Sequence, residues 1–455
     1  MARNHRRGKH RKRQQGTPIC HPLDQQGPVL THLPHTATPS PMPKHGASPF
    51  YPDFLLPIAS SQMPAEPQPT HRLLPLDGLR GLAALVIVLY HLFVAGWSTS
   101  PTLHLIQKFT TAGWVGVDLF FVLSGFLITG ILLRTLDADP TQTRRAYFRA
   151  FYARRALRIF PLYYLVAFTA IAFPAFLRLH WQGLQWLYLT DLQNNIGILL
   201  RTHHFAAHPP DLSAIEHLWT LGLEEQFYLA WPIVLFLIRD RRRLLRGSVF
   251  ACAAALALRI ALWAIHAPQD IVANATPCRF DALLIGCCLA LALDRTPQAA
   301  LTAAARDRLI ALARSACLIT LATILVIAVA RHSFANEDPA AYTLGFTLLD
   351  IFFAALILLS LQPGSAAGRL FSIAPLRTLG TYSYGLYIYH ELIAALLKAP
   401  LRAMLEAHHS KLFAVLAGAA LLTALSLAVS VLSYHLFEQP FLRLKRYFPY
   451  ETSHA

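Results

Sequence analysis

The sequence predicts an all-α integral membrane protein, a bundle of about ten transmembrane helices preceded by a disordered N-terminal tail. Three observations predict it. Of 455 residues, 55% are hydrophobic and only 14% are charged, where a soluble chain carries nearer a quarter charged. The mean hydropathy is +0.42. Apolar runs of about twenty residues recur along the chain, the length a helix needs to cross a hydrocarbon core about 30 Å thick. The formal net charge of +16 would suit a nucleic-acid binder, but its placement argues against one. Much of it lies in a leading cluster (Arg3, Arg6, Arg7, Lys9, Arg11, Lys12, Arg13) and in short loops between apolar runs, where membrane orientation requires it. No nucleic-acid partner is expected; the lipid bilayer is.

Residues 1–72 are rich in Pro, His, Gln, Ser and Arg and lack apolar periodicity, which reads as disorder. No apolar h-region follows the basic start closely, so the tail does not read as a signal peptide. Ten spans then follow, near 79–97, 113–133, 160–178, 219–238, 248–266, 280–294, 315–331, 343–361, 378–398 and 412–435. They form one membrane domain, 73–447, with a short tail at 448–455.

Loop charge orients the spans. Arg134, Arg144, Arg145, Arg149, Arg154, Arg155 and Arg158 follow the second span, and Arg239 to Arg246 follow the fourth. Arg295, Arg306, Arg308 and Arg314 come next, then Arg369 and Arg377, then Arg443, Lys445 and Arg446. All fall on the side of the N-terminus, which is therefore expected to be cytoplasmic. Lys398, Arg402 and Lys411 make the last outer loop a mild exception. Trp97, Trp114, Trp219 and Trp263 land at outer helix ends, as an interfacial belt would. The longest outer loop, 179–218, carries His203, His204, His208 and the Pro209–Pro210 pair.

Six cysteines (Cys20, Cys252, Cys278, Cys287, Cys288, Cys317) show no CxxC and no His–Cys metal spacing, so neither a disulfide nor a metal is expected. No GxSxG, P-loop or dinucleotide fingerprint is present.

The first span, LDGLRGLAALVIVLYHLFVAGW, is the most informative. Arg80 and His91 are eleven residues apart, about three helical turns and roughly 16 Å, so both side chains lie on one face. Ionisable groups in an apolar span are costly and mark function by default. Counting depth at about 1.5 Å per residue brings Glu224 and Glu225 of the fourth span, and His390 and Glu391 of the ninth, to the level of His91. Asp118, Arg279 and Asp281 fall nearer the outer surface. A second cluster at the cytoplasmic face holds Asp77, Arg80, Arg154, Arg155, Arg158 and Glu438.

A histidine beside a carboxylate takes a proton from a hydroxyl. Arginines suit a phosphate-rich donor such as acyl-coenzyme A, because the guanidinium fork matches phosphate oxygens. Glu224 and Glu225 point about 100° apart, so at most one faces His91; Glu224, which shares a face with His217 and Tyr228, is preferred. His390 is either a packing histidine or part of the site. Ser124, in a Ser-Gly-Phe turn, reads as allowing close helix contact rather than as a nucleophile. Glu438 reads as neutralising a nearby arginine.

These blocks resemble the acyltransferase 3 family, the multi-spanning O-acyltransferases of bacterial surface polysaccharides. The likeness runs from about 73 to 447 and rests on six blocks in order. Arg80 and His91, preceded by Leu76-Asp77-Gly78-Leu79, match the family's Arg-x10-His signature. GVDLFFVLSGFLITGILL carries Ser124, RRALRIFPLYYL carries Arg154, Arg155 and Arg158, and HLWTLGLEEQFYLAWP carries Glu224 and Glu225, with Thr220 where the family has Ser. RFDALLIG carries Arg279 and Asp281; LGTYSYGLYIYH ends at His390, and FEQP holds Glu438. The resemblance implies acyl-coenzyme A, typically acetyl-coenzyme A, as cytoplasmic co-substrate, with no bound cofactor. It implies a glycan or glycolipid hydroxyl as outer-side acceptor, with Arg80 and His91 essential. It leaves open whether His91 acts as base or is transiently acylated. The rival reading is a proton-coupled transporter, since buried His and Glu also serve proton relays; no internal repeat supports it.

Overall fold

The computed structural model describes residues 73–94, 101–138, 143–196, 198, 211–294, 303–332 and 334–450, all within one compact unit spanning 49–455. The tail at 1–72, Cys20, Trp97, Arg295, and His203, His204, His208, Pro209 and Pro210 lie outside them. Ten long helices dominate the described chain. They are α1 (Leu74–Val94), α2 (Gly116–Ala138), α3 (Arg144–Ala172), α4 (Trp219–Leu237), α5 (Arg241–Ala264), α6 (Thr276–Leu293), α7 (Ala303–Ala330), α8 (Phe346–Ser360), α9 (Ala374–His408) and α10 (Lys411–Ser433). Among the described residues there is no strand, only an isolated bridge between His180 and Asp211.

Each helix overlaps one predicted span. Eight stretches are long and apolar enough to cross a membrane, and the chain is an all-α multi-pass membrane protein. Helices α4 and α9 fall outside that set. Glu224, Glu225 and Gln226 interrupt the first, and His390, Glu391, Lys398 and Arg402 the second. Large apolar side chains such as Phe168, Leu237, Phe250, Val329 and Leu432 are exposed on the outside of the bundle, as contact with lipid requires.

Two boundaries differ from expectation. Helix α3 starts at Arg144, well before the predicted 160, so the arginine-rich stretch is helical rather than loop. Thr143 caps it, its hydroxyl accepting from the Ala146 amide at 3.3 Å. Hydropathy marks only the part of a helix that meets lipid; the backbone bonds continue wherever capping and propensity allow. Helix α9 likewise runs ten residues past its apolar part, through Pro400. The tryptophan belt is also corrected at Trp114. Its indole is buried, donates to the Phe334 carbonyl at 3.0 Å and stacks on the Phe334 ring.

Two glycine crossings fix the register of the interior. Helix α1 packs along α9, and α2 along α6. Gly81 lies against the Leu376 carbonyl while Gly380 lies against that of Asp77. Gly125 lies against the Leu283 carbonyl while Gly286 lies against that of Val122. A β-carbon at any of these positions would occupy the partner's backbone, which cannot yield as a side chain can. Gly380→Leu should therefore cost about 3 kcal/mol or more, read as a lowered melting temperature of the detergent-solubilised protein. An unchanged melting temperature would show that the α1–α9 approach is not limiting.

Candidate active site

Helices α1, α2, α3, α4 and α9 surround a cavity of about 350 Å³ at the end of the bundle where α1 begins. Arg80, Arg155 and Arg158 line it, with Ser124, Glu224 and Tyr228 opposite. No carboxylate among the described residues lies within ion-pair distance of these three guanidiniums; Arg155 rests over the Tyr228 ring at 5.2 Å. Asp77, Glu224 and Glu438 lie only within Coulombic reach of them, and three guanidiniums around a partly enclosed space are an arrangement that suits an anion. Arg154 also lines the cavity, but its guanidinium is committed. It donates to the carbonyls of Lys445 (3.0 Å) and Phe448 (3.1 Å) and lies over the Tyr450 ring. It holds the C-terminal segment against the cavity wall.

Glu224 belongs to this cavity and not to His91. Its carboxylate accepts from Ser124 Oγ at 2.7 Å and from the Tyr228 hydroxyl at 3.1 Å. Ser124 thus turns its hydroxyl into the cavity, and the close helix contact expected of it is made by its neighbour Gly125. Glu225 has one buried oxygen, Oε1, with no hydrogen-bond partner among the described residues, and it does not reach His91. The depth count failed because it took the residues before 219 as surface loop. Glu216–Leu218 instead form a tight turn folded into the bundle, and His217 is buried beside His390, ring centroids 5.1 Å apart. His217 therefore occupies the level assigned to Glu224.

The cavity ends at Thr220 and Tyr387. Their hydroxyls are 2.6 Å apart, and the Tyr387 hydroxyl donates to the His217 carbonyl at 2.6 Å. Beyond this pair lies a histidine cluster. The Tyr387 ring touches both His217 and His390. His390 Nε2 lies 3.1 Å from His91 Nδ1, and His91 Nε2 lies 3.6 Å from Glu391 Oε1. Lys398 donates to the His91 carbonyl at 2.8 Å. His91, His390 and Glu391 each offer one ligand atom within 4.8 Å of the others, a donor set that zinc accepts. Outside the spans, burial lifts the Asp191 carboxyl to about 6. The backbone carbonyl of Asp191 and the side chain of Asn194 take the Gln226 amide, tying the outer segment to α4.

Asp118, Arg279 and Asp281, expected to bind substrate, do not line the cavity. Arg279 pairs with Asp118 at 2.7 Å and lies 3.7 Å from the centre of the Phe346 ring. Asp281 takes both ends of the Arg259 guanidinium, at 2.9 and 2.7 Å. All four side chains are essentially inaccessible to solvent. They lock α2 to α6 and α5 to α6. Glu438 is buried in a π-turn at the end of α10, accepts from Ser433 Oγ at 3.2 Å and lies within Coulombic range of Arg158. From the sequence, Glu391 is placed level with His91, and His217 and Tyr228 are set on the Glu224 face without a role; Tyr387 is not singled out, and a mid-span tyrosine is its only signal.

Fold and site define a multi-pass membrane protein whose interior holds an arginine-lined cavity at one end and a histidine–carboxylate cluster beyond it. Residues 74–435 match the family described as an acyltransferase domain, and the chain belongs to that family. It is 32% identical over 333 residues, 70% of this chain and 48% of the relative, to YrhL of Bacillus subtilis, provisionally named a peptidoglycan O-acetyltransferase. It is 28% identical over 337 residues, 70% of this chain and 50% of the relative, to the O-acetyltransferase OatA of Staphylococcus aureus. It is 28% identical over 329 residues, 69% of this chain and 48% of the relative, to the peptidoglycan O-acetyltransferase OatA of Listeria monocytogenes. The chain thus spans about half the length of the curated relatives it matches. No solved structure matches it.

Proposed function

We propose that the chain is a membrane O-acyltransferase moving an acyl group, acetyl first among them, from acyl-coenzyme A to a glycan hydroxyl outside the cytoplasmic membrane. Peptidoglycan is the acceptor that the names of its relatives point to. The observation that carries the reading is the two-ended site on α1. Arg80 lines a cationic cavity, and His91 stands about 16 Å further along the same helix in a cluster of histidines and a carboxylate. The arginine-rich end is cytoplasmic in this reading, and with it the N-terminus.

A cavity of about 350 Å³ takes part of a coenzyme A molecule. Arg80, Arg155 and Arg158 hold its phosphates, while the thioester arm points toward Thr220 and Tyr387. His91 removes the acceptor's hydroxyl proton. The oxygen attacks the thioester carbonyl, the C–S bond breaks, and the departing thiolate recovers the proton. The Thr220–Tyr387 contact must open for thioester and hydroxyl to meet.

The test is transfer of radiolabel from acetyl-coenzyme A to peptidoglycan fragments by purified protein in proteoliposomes. Arg80→Ala should raise KM for acetyl-coenzyme A about 10- to 100-fold, the worth of one charge-assisted bond. A variant with unchanged KM would remove Arg80 from donor binding. Proton-driven solute uptake without label transfer would favour the transporter.

A further inference from the structure

We infer that His390 and Glu391, neighbours on α9, clasp opposite nitrogens of the His91 imidazole, making Nε2 the atom that receives the acceptor's proton and Glu391 the carboxylate that meets it. The inference rests on the reading of His91 as proton acceptor.

The hydrogen-bond directions decide the tautomers. His390 Nδ1 faces two backbone carbonyls, Tyr387 at 2.7 Å and Leu386 at 3.2 Å. A carbonyl only accepts, so His390 carries its hydrogen on Nδ1 and a lone pair on Nε2. That lone pair faces His91 Nδ1 at 3.1 Å. The other neighbour of His91 Nδ1 is the Ile87 carbonyl, also at 3.1 Å. Both are acceptors, so His91 Nδ1 bears the hydrogen and the neutral ring keeps its lone pair on Nε2. Glu391 Oε1 stands 3.6 Å from that atom, with side chains 26% and 16% exposed. The contact is longer than a hydrogen bond and partly open, so a hydroxyl can approach Nε2 from beside the carboxylate. When the O–H bond breaks, the proton moves to Nε2. The imidazolium then has His390 and Ile87 against one N–H and Glu391 near the other. The proton leaves with the coenzyme A thiol, so the cycle restores the starting tautomer.

His390 is thus a positioning residue, while Glu391 faces the reacting hydroxyl and supports the imidazolium. Among the described residues, Lys398 and Tyr387 on α9, His217 beside His390, Tyr90 on α1 and Glu216 before α4 are the other titratable groups around the pair.

The test uses the full chain in bilayers, with ¹⁵N-labelled histidine and acetyl-coenzyme A with peptidoglycan fragments as substrates. His91→Ala assigns the His91 ring signals by their loss. The nitrogen shifts of wild-type protein at neutral pH should report Nδ1–H and bare Nε2 for His91. In His390→Ala the tautomer should become mixed and kcat should fall about 10-fold or more. His390→Gln, whose carbonyl still accepts, should restore much of both. Glu391→Gln should lower kcat about 10- to 100-fold, change the pH profile and leave KM for acetyl-coenzyme A unaltered. An Nε2–H tautomer in wild type, or variants with wild-type kcat and pH profile, would overturn the inference. So would a metal co-purifying with wild type and lost in Glu391→Gln. Retained transfer in His91→Ala would instead sink the underlying reading, so the two failures are distinct.

Discussion

Replacing His91 with alanine should lower acyl transfer by about 10³-fold or more while the protein still folds. General-base catalysis by a positioned side chain contributes about 10²- to 10⁴-fold. The adjoining histidines do not substitute for it. His390 and His217 are buried, at 1% and 4% exposed, and neither reaches the half-open space beside His91 Nε2. The structural cost of the change is small. His91 is about a quarter exposed, and its loss leaves His390 Nε2 facing a space that water can enter. The measurement pairs initial rates of label transfer with melting of the solubilised protein. Normal transfer by a well-folded His91→Ala protein would remove the chemical centre of the reading.

Asp281→Ala should behave in the opposite way. Asp281 makes two hydrogen bonds to Arg259 within the bundle, and neither side chain reaches solvent. Removing one partner of a buried pair costs about 3–5 kcal/mol, because the other charge stays buried without its hydrogen-bonded counter-ion; Asp350 lies only within Coulombic reach of Arg259. Arg259 keeps only neutral partners, the carbonyls of Thr343 and Cys278 and the Thr347 hydroxyl. A clear fall in melting temperature is expected, with KM for acetyl-coenzyme A unchanged in the protein that folds. A raised KM at an unchanged melting temperature would reinstate Asp281 as a substrate-binding residue.

Much was legible before any coordinates. Periodicity and loop charge located all ten long helices, since a helix in lipid must satisfy its own backbone and show lipid an apolar surface. The cost of an ionisable group in such a helix picked out Arg80, His91, Glu224 and His390. Arg155 and Arg158 line the cavity, but loop charge alone could not separate them from Arg154, which the C-terminal segment occupies. What stayed hidden were the partners. Asp118, Arg279 and Asp281 looked like site residues because a span shows only that a charge is present, not which charge faces it across the bundle.

The sequence by itself determined the class of molecule, the helices and which polar residues lie within them, because each follows from local composition and a fixed rise per residue. The pairing of those residues was decided only in three dimensions. Glu391, rather than Glu224, stands beside His91 because glycine-to-carbonyl crossings set α1 against α9 and because Glu216–Leu218 fold inward, leaving Glu224 to Ser124 and Tyr228 in the cavity. Relative sliding and rotation of helices depend on contacts between segments far apart in the chain, and no count of residues along one helix contains them.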